Sequence, residues 1–74
     1  MKKYQTLEQF ESIVNSAYYG NWTESAKKTI EYGFYATNFM QMIRDHKEQF
    51  SYINESDLIL IIEIATQLRS KEVN

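Results

Sequence analysis

Apolar residues recur along this chain at helical spacings of three and four, and three stretches carry the pattern. In the first, Leu7, Phe10, Ile13, Val14, Ala17 and Tyr18 share one narrow stripe, with Glu8, Glu11, Ser12, Asn15 and Ser16 facing away. Thr6 followed by Gln9 is a capping-box pair, in which each side chain accepts from the other residue's backbone N–H. Gly20 closes the stretch, because glycine takes the left-handed cap conformation without strain. The spacing predicts an amphipathic helix over about residues 6–19.

The most apolar stretch is Asp57 to Leu68, and any core has to be built on it. Periodicity alone does not separate a buried strand from a buried helix in such a run. Its flanks do. Asn54 is a good N-cap, Asp57 stands at the third helical position, and Ile53 with Leu58 are spaced as a hydrophobic staple. Arg69 and Lys71 complement the negative pole at the far end. The prediction is a helix over about 55–71. On its wheel Leu58, Leu60, Ile61, Ile62, Ile64, Ala65 and Leu68 share a broad arc, and Ile59, Glu63, Thr66 and Ser70 lie opposite. An arc that wide asks for two neighbouring helices, or for one helix and a second copy of the chain. Glu63 falls on the polar side and reads as a solvated acid.

Between these two lies a proline-free stretch, Trp22 to about Glu48, entered by Asn21 with Glu24 as a second capping-box pair. Its apolar pattern changes phase. Trp22, Ala26, Ile30 and Gly33 share one stripe, whereas Tyr32, Tyr35, Ala36, Phe39, Ile43, His46 and Phe50 share another. Gly33 stands at the changeover. Either one long helix uses different faces at its two ends, or it breaks at Gly33 and restarts with Asn38 and Gln41 as cap pair. A continuous or mildly kinked helix over 22–48 is the reading taken here; at about 40 Å it would project beyond a monomer, which favours a dimer. Phe50, Tyr52 and Ile53 are too apolar for a free loop, so the connection into the last helix should pack down.

Composition narrows the possibilities. The chain has 74 residues, enough for one small domain, and such a domain buries only about 60% of the surface its unfolded form exposes. With no Cys and one His, disulfides and a structural zinc are set aside as sources of stability. Dense aromatic packing or self-association remains, and one Trp, six Tyr and four Phe supply the first. A net charge of −2 with both signs dispersed argues against a nucleic-acid footprint. No signal-peptide pattern follows Lys2 and Lys3, and no run approaches the roughly 20 apolar residues of a membrane span, so a cytoplasmic location is expected. The excess of Ile, Lys, Asn, Tyr and Phe over Gly, Ala, Arg and Pro suggests an AT-rich coding sequence, as in low-GC bacteria, their phages or plasmids. Residues 1–5 and 72–74 are expected to fray, with Tyr4 able to fold back on the core.

Candidate chemistry is sparse. His46 follows Asp45, but adjacent helical residues do not face one another, and its apolar stripe marks it as packed or half-buried. No nucleophile elbow, phosphate loop or metal-ligand spacing is present, so no catalytic, metal or cofactor residue is assigned and the reading is not that of an enzyme. Most of the aromatics read as core and rim. Tyr19 and Phe34 fall off their helices' main stripes, and with Ile59 they form the candidate protein-contact surface.

The expected fold is therefore all-α, a three-helix bundle forming one domain. The expected function is a cytosolic, non-catalytic interaction or regulatory module, self-associating as a homodimer, with another protein as its partner. The alternative is a small helix-turn-helix regulator built on the turn at Gly20, with Lys27 and Lys28 in its second helix. Glu24 and Glu31 flank those lysines, and base-reading side chains are lacking beside them.

Overall fold

The computed structural model describes residues 5–73, with side chains to residue 71. The expectations for Tyr4 and for fraying of 1–4 and 74 lie outside these residues. The described chain is all-helical, with four helices in place of three: α1 (Leu7–Tyr18), α2 (Trp22–Glu31), α3 (Ala36–Asp45) and α4 (Glu55–Val73). None is long and apolar enough to cross a membrane.

The extra helix arises at Gly33. Two glycines punctuate the chain, and both do so in the same way. Gly20 has φ +85° and Gly33 has φ +79°, the left-handed region that a side chain disfavours. At the end of α1 the Gly20 N–H donates to Ala17 O at 2.9 Å and the Asn21 N–H to Ser16 O at 2.7 Å. At the end of α2 the Gly33 N–H donates to Ile30 O at 3.0 Å and the Phe34 N–H to Thr29 O at 2.9 Å. Each is the paired bonding of a Schellman motif, which consumes the orphan carbonyls of a finishing helix. The continuous 22–48 helix is thus corrected to two short helices, and its projecting end no longer argues for a dimer.

The caps follow expectation in part. Thr6 and Gln9 form the full capping box, Gln9 N–H to Thr6 Oγ1 at 3.2 Å and Thr6 N–H to Gln9 Oε1 at 3.0 Å. The box expected of Asn21 and Glu24 does not form: the Asn21 side chain makes no cap bond. Asn21 already closes the Schellman motif behind it, and its ψ of 63° departs from the extended geometry of a capping side chain. The cap of α3 is Tyr35, not Asn38; Asn38 stands at the third position and its Oδ1 accepts from the Tyr35 N–H at 3.2 Å. The chain leaves α3 at Asp45, short of Glu48, and turns such as Phe50 N–H to His46 O (3.2 Å) fold Phe50 back into the core. His46 caps that end, half-buried.

α2 is the spine, packed along both α1 and α4, with α3 closing the far side. Small polar residues that hydrophobic patterning passes over are buried on α2 beside Ala26. Ser25 and Thr29 are buried; Ser25 Oγ donates to Ile13 O of α1 at 2.9 Å, and Thr29 Oγ1 to Ser25 O at 2.8 Å. A serine hydroxyl reaching a neighbouring helix's carbonyl requires the two backbones to approach closely, and satisfying it removes the penalty of burying it.

The centre is phenylalanine. All four Phe of the chain are buried, and Phe10 lies 4.9 Å from Phe39, 5.0 Å from Phe50 and 6.1 Å from Phe34, ring centre to ring centre. Ile13, Val14 and Ala17 of α1, Ile43 of α3 and Leu58 and Ile61 of α4 surround them. On α4 the fully inward residues are Leu58, Ile61 and Ala65, a narrower stripe than expected, with Ile62, Ile64 and Leu68 half-buried. Leu60 is corrected: it lies at the edge of the predicted arc, and 40% of it remains exposed.

Candidate protein-contact surface

The three residues singled out from the sequence part company in the structure. Tyr19 is 76% exposed and Ile59 is 39% exposed, but Phe34 is fully buried in the phenylalanine core. Phe34 is therefore withdrawn as a surface residue. Its off-stripe phase holds only for a helix that runs on through Gly33. In fact Phe34 follows the left-handed glycine, where the chain reverses and a Schellman motif commonly places an inward apolar residue.

The Schellman turn at Gly20 ends α1 with Tyr18 and Tyr19 side by side, their rings edge-to-face at 5.2 Å. Tyr18, counted on the buried stripe, is 54% exposed, because the last turn of α1 passes the core before the helix ends. Tyr52 comes in from the α3–α4 connection and sets its ring edge-to-face on Tyr18 at 5.1 Å. Its hydroxyl donates to Asn15 Oδ1 at 2.6 Å, and nearby Gln49 Nε2 reaches Glu11 Oε2 at 3.4 Å. The connection is thus pinned to α1, and three mutually ordered tyrosines face solvent. Partial burial first, then the nearby Glu11 charge, raises the Tyr52 phenol above its ordinary 10.0.

Beneath Tyr18 and Tyr52 runs a groove of about 350 Å³ between the end of α1, the start of α2 and the start of α4. Trp22, Asn54 and Asp57 also line it. Ile59 does not line this groove and lies further along α4, beside the exposed Leu60.

Two further side-chain clusters lie outside this groove. Lys28 Nζ donates to Ser12 Oγ and to Ser16 Oγ, both at 3.1 Å, and Ser16 Oγ donates onward to Ser12 O. The Ser16 hydroxyl is directed at a backbone carbonyl of its own helix. The arrangement clamps α1 to α2. At the other end of the molecule, Arg69 donates to Phe34 O and its guanidinium carbon lies 4.3 Å above the Tyr35 ring. Gln5 Nε2 donates to the adjacent Gly33 O at 3.1 Å. These side chains satisfy the carbonyls of the α2–α3 turn, so Arg69 is engaged in the fold. Among the described residues no three His, Cys, Asp or Glu gather as metal ligands.

Comparison with known proteins finds no matching family, no similar curated protein and no similar solved structure.

Proposed function

We propose that this chain is a non-catalytic interaction module that docks another protein through Tyr18, Tyr19 and Tyr52 and pairs with a second copy through the outer face of α4. The observation that carries the reading is the tyrosine surface itself, with Tyr19 76% exposed and each ring held edge-to-face by another. Rings ordered before binding lose little conformational entropy on contact, and tyrosine supplies both apolar area and a hydroxyl, which is why it recurs at interface hot spots. Pairing of copies rests on Ile59 and Leu60, adjacent on α4 and 39% and 40% exposed.

The helix-turn-helix alternative draws less support. Lys28, one of the two lysines it needs for phosphates, is engaged with Ser12 and Ser16. A cytosolic regulator remains the broader setting proposed.

The test is capture from a lysate of the protein's own source, with the wild type and a Tyr18→Ser/Tyr19→Ser variant side by side. A stoichiometric protein held by the wild type and lost by an equally stable variant is the expected result. Retention by both would overturn the tyrosine surface. Nucleic acid released by salt, seen in the 260/280 nm ratio, would favour the alternative. Light scattering at high micromolar concentration should give a dimer mass, reduced to monomer by Ile59→Glu/Leu60→Glu; a monomeric wild type would end the pairing proposal.

A further inference from the structure

We infer that the groove under Tyr18 and Tyr52 receives an arginine side chain from the partner protein. The inference rests on the contact-surface reading above and names the chemistry of its partner. Three aromatic residues, Tyr18, Trp22 and Tyr52, share this groove with one carboxylate, Asp57. Tyr18 and Tyr52 stand almost perpendicular, at 79°, so they offer a face and an edge in different directions. Aromatic faces are electron-rich and attract cations, most strongly for tryptophan.

The guest's charge follows by elimination among three classes. An apolar side chain would satisfy the rings but would cover the half-buried Asp57 without a partner, which costs more than the contact returns. An anion would meet Asp57 in the groove and the field of Glu11, which already reaches Tyr52. A cation on an apolar stem satisfies both rings and carboxylate. Among the described residues no Lys or Arg lines the groove to occupy that role from within. The groove at the α3–α4 corner carries both signs, Arg44 and Lys47 with Glu55, whereas among those residues Asp57 is the one charged side chain lining the aromatic groove. Between the two basic side chains, arginine is favoured: its guanidinium is planar, stacks on rings and meets a carboxylate through two parallel N–H donors. At about 350 Å³ the groove holds a single such side chain rather than a folded element.

Trp22 is the only tryptophan and lines this groove while packing against the core, so its emission is a single-site signal. The experiment titrates the full chain with a short glycine–serine peptide bearing one arginine, and with the same peptide bearing citrulline, its uncharged isostere. Saturable change in Trp22 emission with the arginine peptide is expected, together with about tenfold weaker binding of the citrulline peptide. Asp57→Asn, checked for unchanged helicity and melting, should weaken the arginine peptide severalfold and leave the citrulline peptide unaffected. Equal binding of the two peptides, or no saturable change into the millimolar range, would overturn the inference. The two readings fail separately. Loss of the captured partner in Tyr18→Ser/Tyr19→Ser without arginine-peptide binding would keep the contact surface and reject its cationic guest. Arginine-peptide binding with capture unchanged in that variant would keep the cation site and reject the contact surface.

Discussion

Phe10, Phe34, Phe39 and Phe50 on one side, and Tyr18, Tyr19 and Tyr52 on the other, are two groups of nearly the same ring, meeting where Phe50 and Tyr52 lie 6.2 Å apart. Both pack ring against ring at similar separations, 4.9–6.1 Å in one and 5.1–5.2 Å in the other. The first is sealed and the second faces water. One hydroxyl separates them. The surroundings of Phe10 are rings and aliphatic groups, which offer a phenol no partner, whereas the surface gives Tyr52 the amide of Asn15. An unpaired buried hydroxyl costs about 1–3 kcal/mol in proteins, a large share of what a domain this small has in hand. These seven residues thus sort by whether a polar atom can be satisfied, and the sorting leaves one sealed interior and one exposed aromatic surface.

The largest effect should come from removing the hub of the sealed cluster. Phe10 touches each of the other three phenylalanines, so Phe10→Ala should cost about 3–5 kcal/mol and leave the chain largely unfolded at room temperature. Far-UV circular dichroism against urea would measure it. A cooperative transition with an unchanged midpoint would mean that the cluster is not the core.

A tyrosine at the same position asks only about the hydroxyl. Phe10→Tyr keeps the ring and should still cost about 1–3 kcal/mol for the unpaired phenol, with crowding in addition. The urea midpoint should fall between those of wild type and Phe10→Ala. A variant as stable as wild type would show that a partner for the hydroxyl exists inside, and the sorting argument would fail.

Much of this division was legible in the chain, and where it was not the cause is specific. α1 could be read almost residue by residue, because Thr6, Gln9 and Gly20 mark both of its ends and its stripe has a single phase. The helical class followed from the apolar spacing. The count of helices did not, because a glycine inside a proline-free helical pattern is compatible with close helix approach, a kink or a break. The signal was nonetheless present. Gly33 followed by the apolar Phe34 repeats the cap position that Gly20 occupies, and reading both glycines alike would have ended α2 at Glu31 and turned Phe34 inward. The seam between α1 and α2 was illegible for another reason: Ser25 and Thr29 are polar, and their burial depends on a carbonyl of another helix and one of their own. The tyrosine surface was half legible. Tyr19 was found by its phase, but Tyr18 meets Tyr52 across 34 positions of chain, and nothing local in the sequence announces a long-range pairing.

The smallest effect lies at the exposed cluster and carries a pH signature. Tyr52→Phe removes the bond to Asn15 Oδ1 and, on a solvent-facing site, should cost less than about 1 kcal/mol at neutral pH. Its sharper consequence is above neutrality. Because the folded Tyr52 phenol titrates above 10.0, through partial burial and then the Glu11 charge, the unfolded chain loses that proton first as pH rises. The contribution is therefore complete below pH 10.0 and declines from there through the folded pKa. Melting temperatures measured from pH 8 to 11 should fall more gently in Tyr52→Phe than in wild type over the upper part of that range. Parallel curves would mean that Tyr52 is as solvated in the fold as out of it. The ordered surface would then be no more than three tyrosines near one another, and the difference from the phenylalanine core would be one of burial alone.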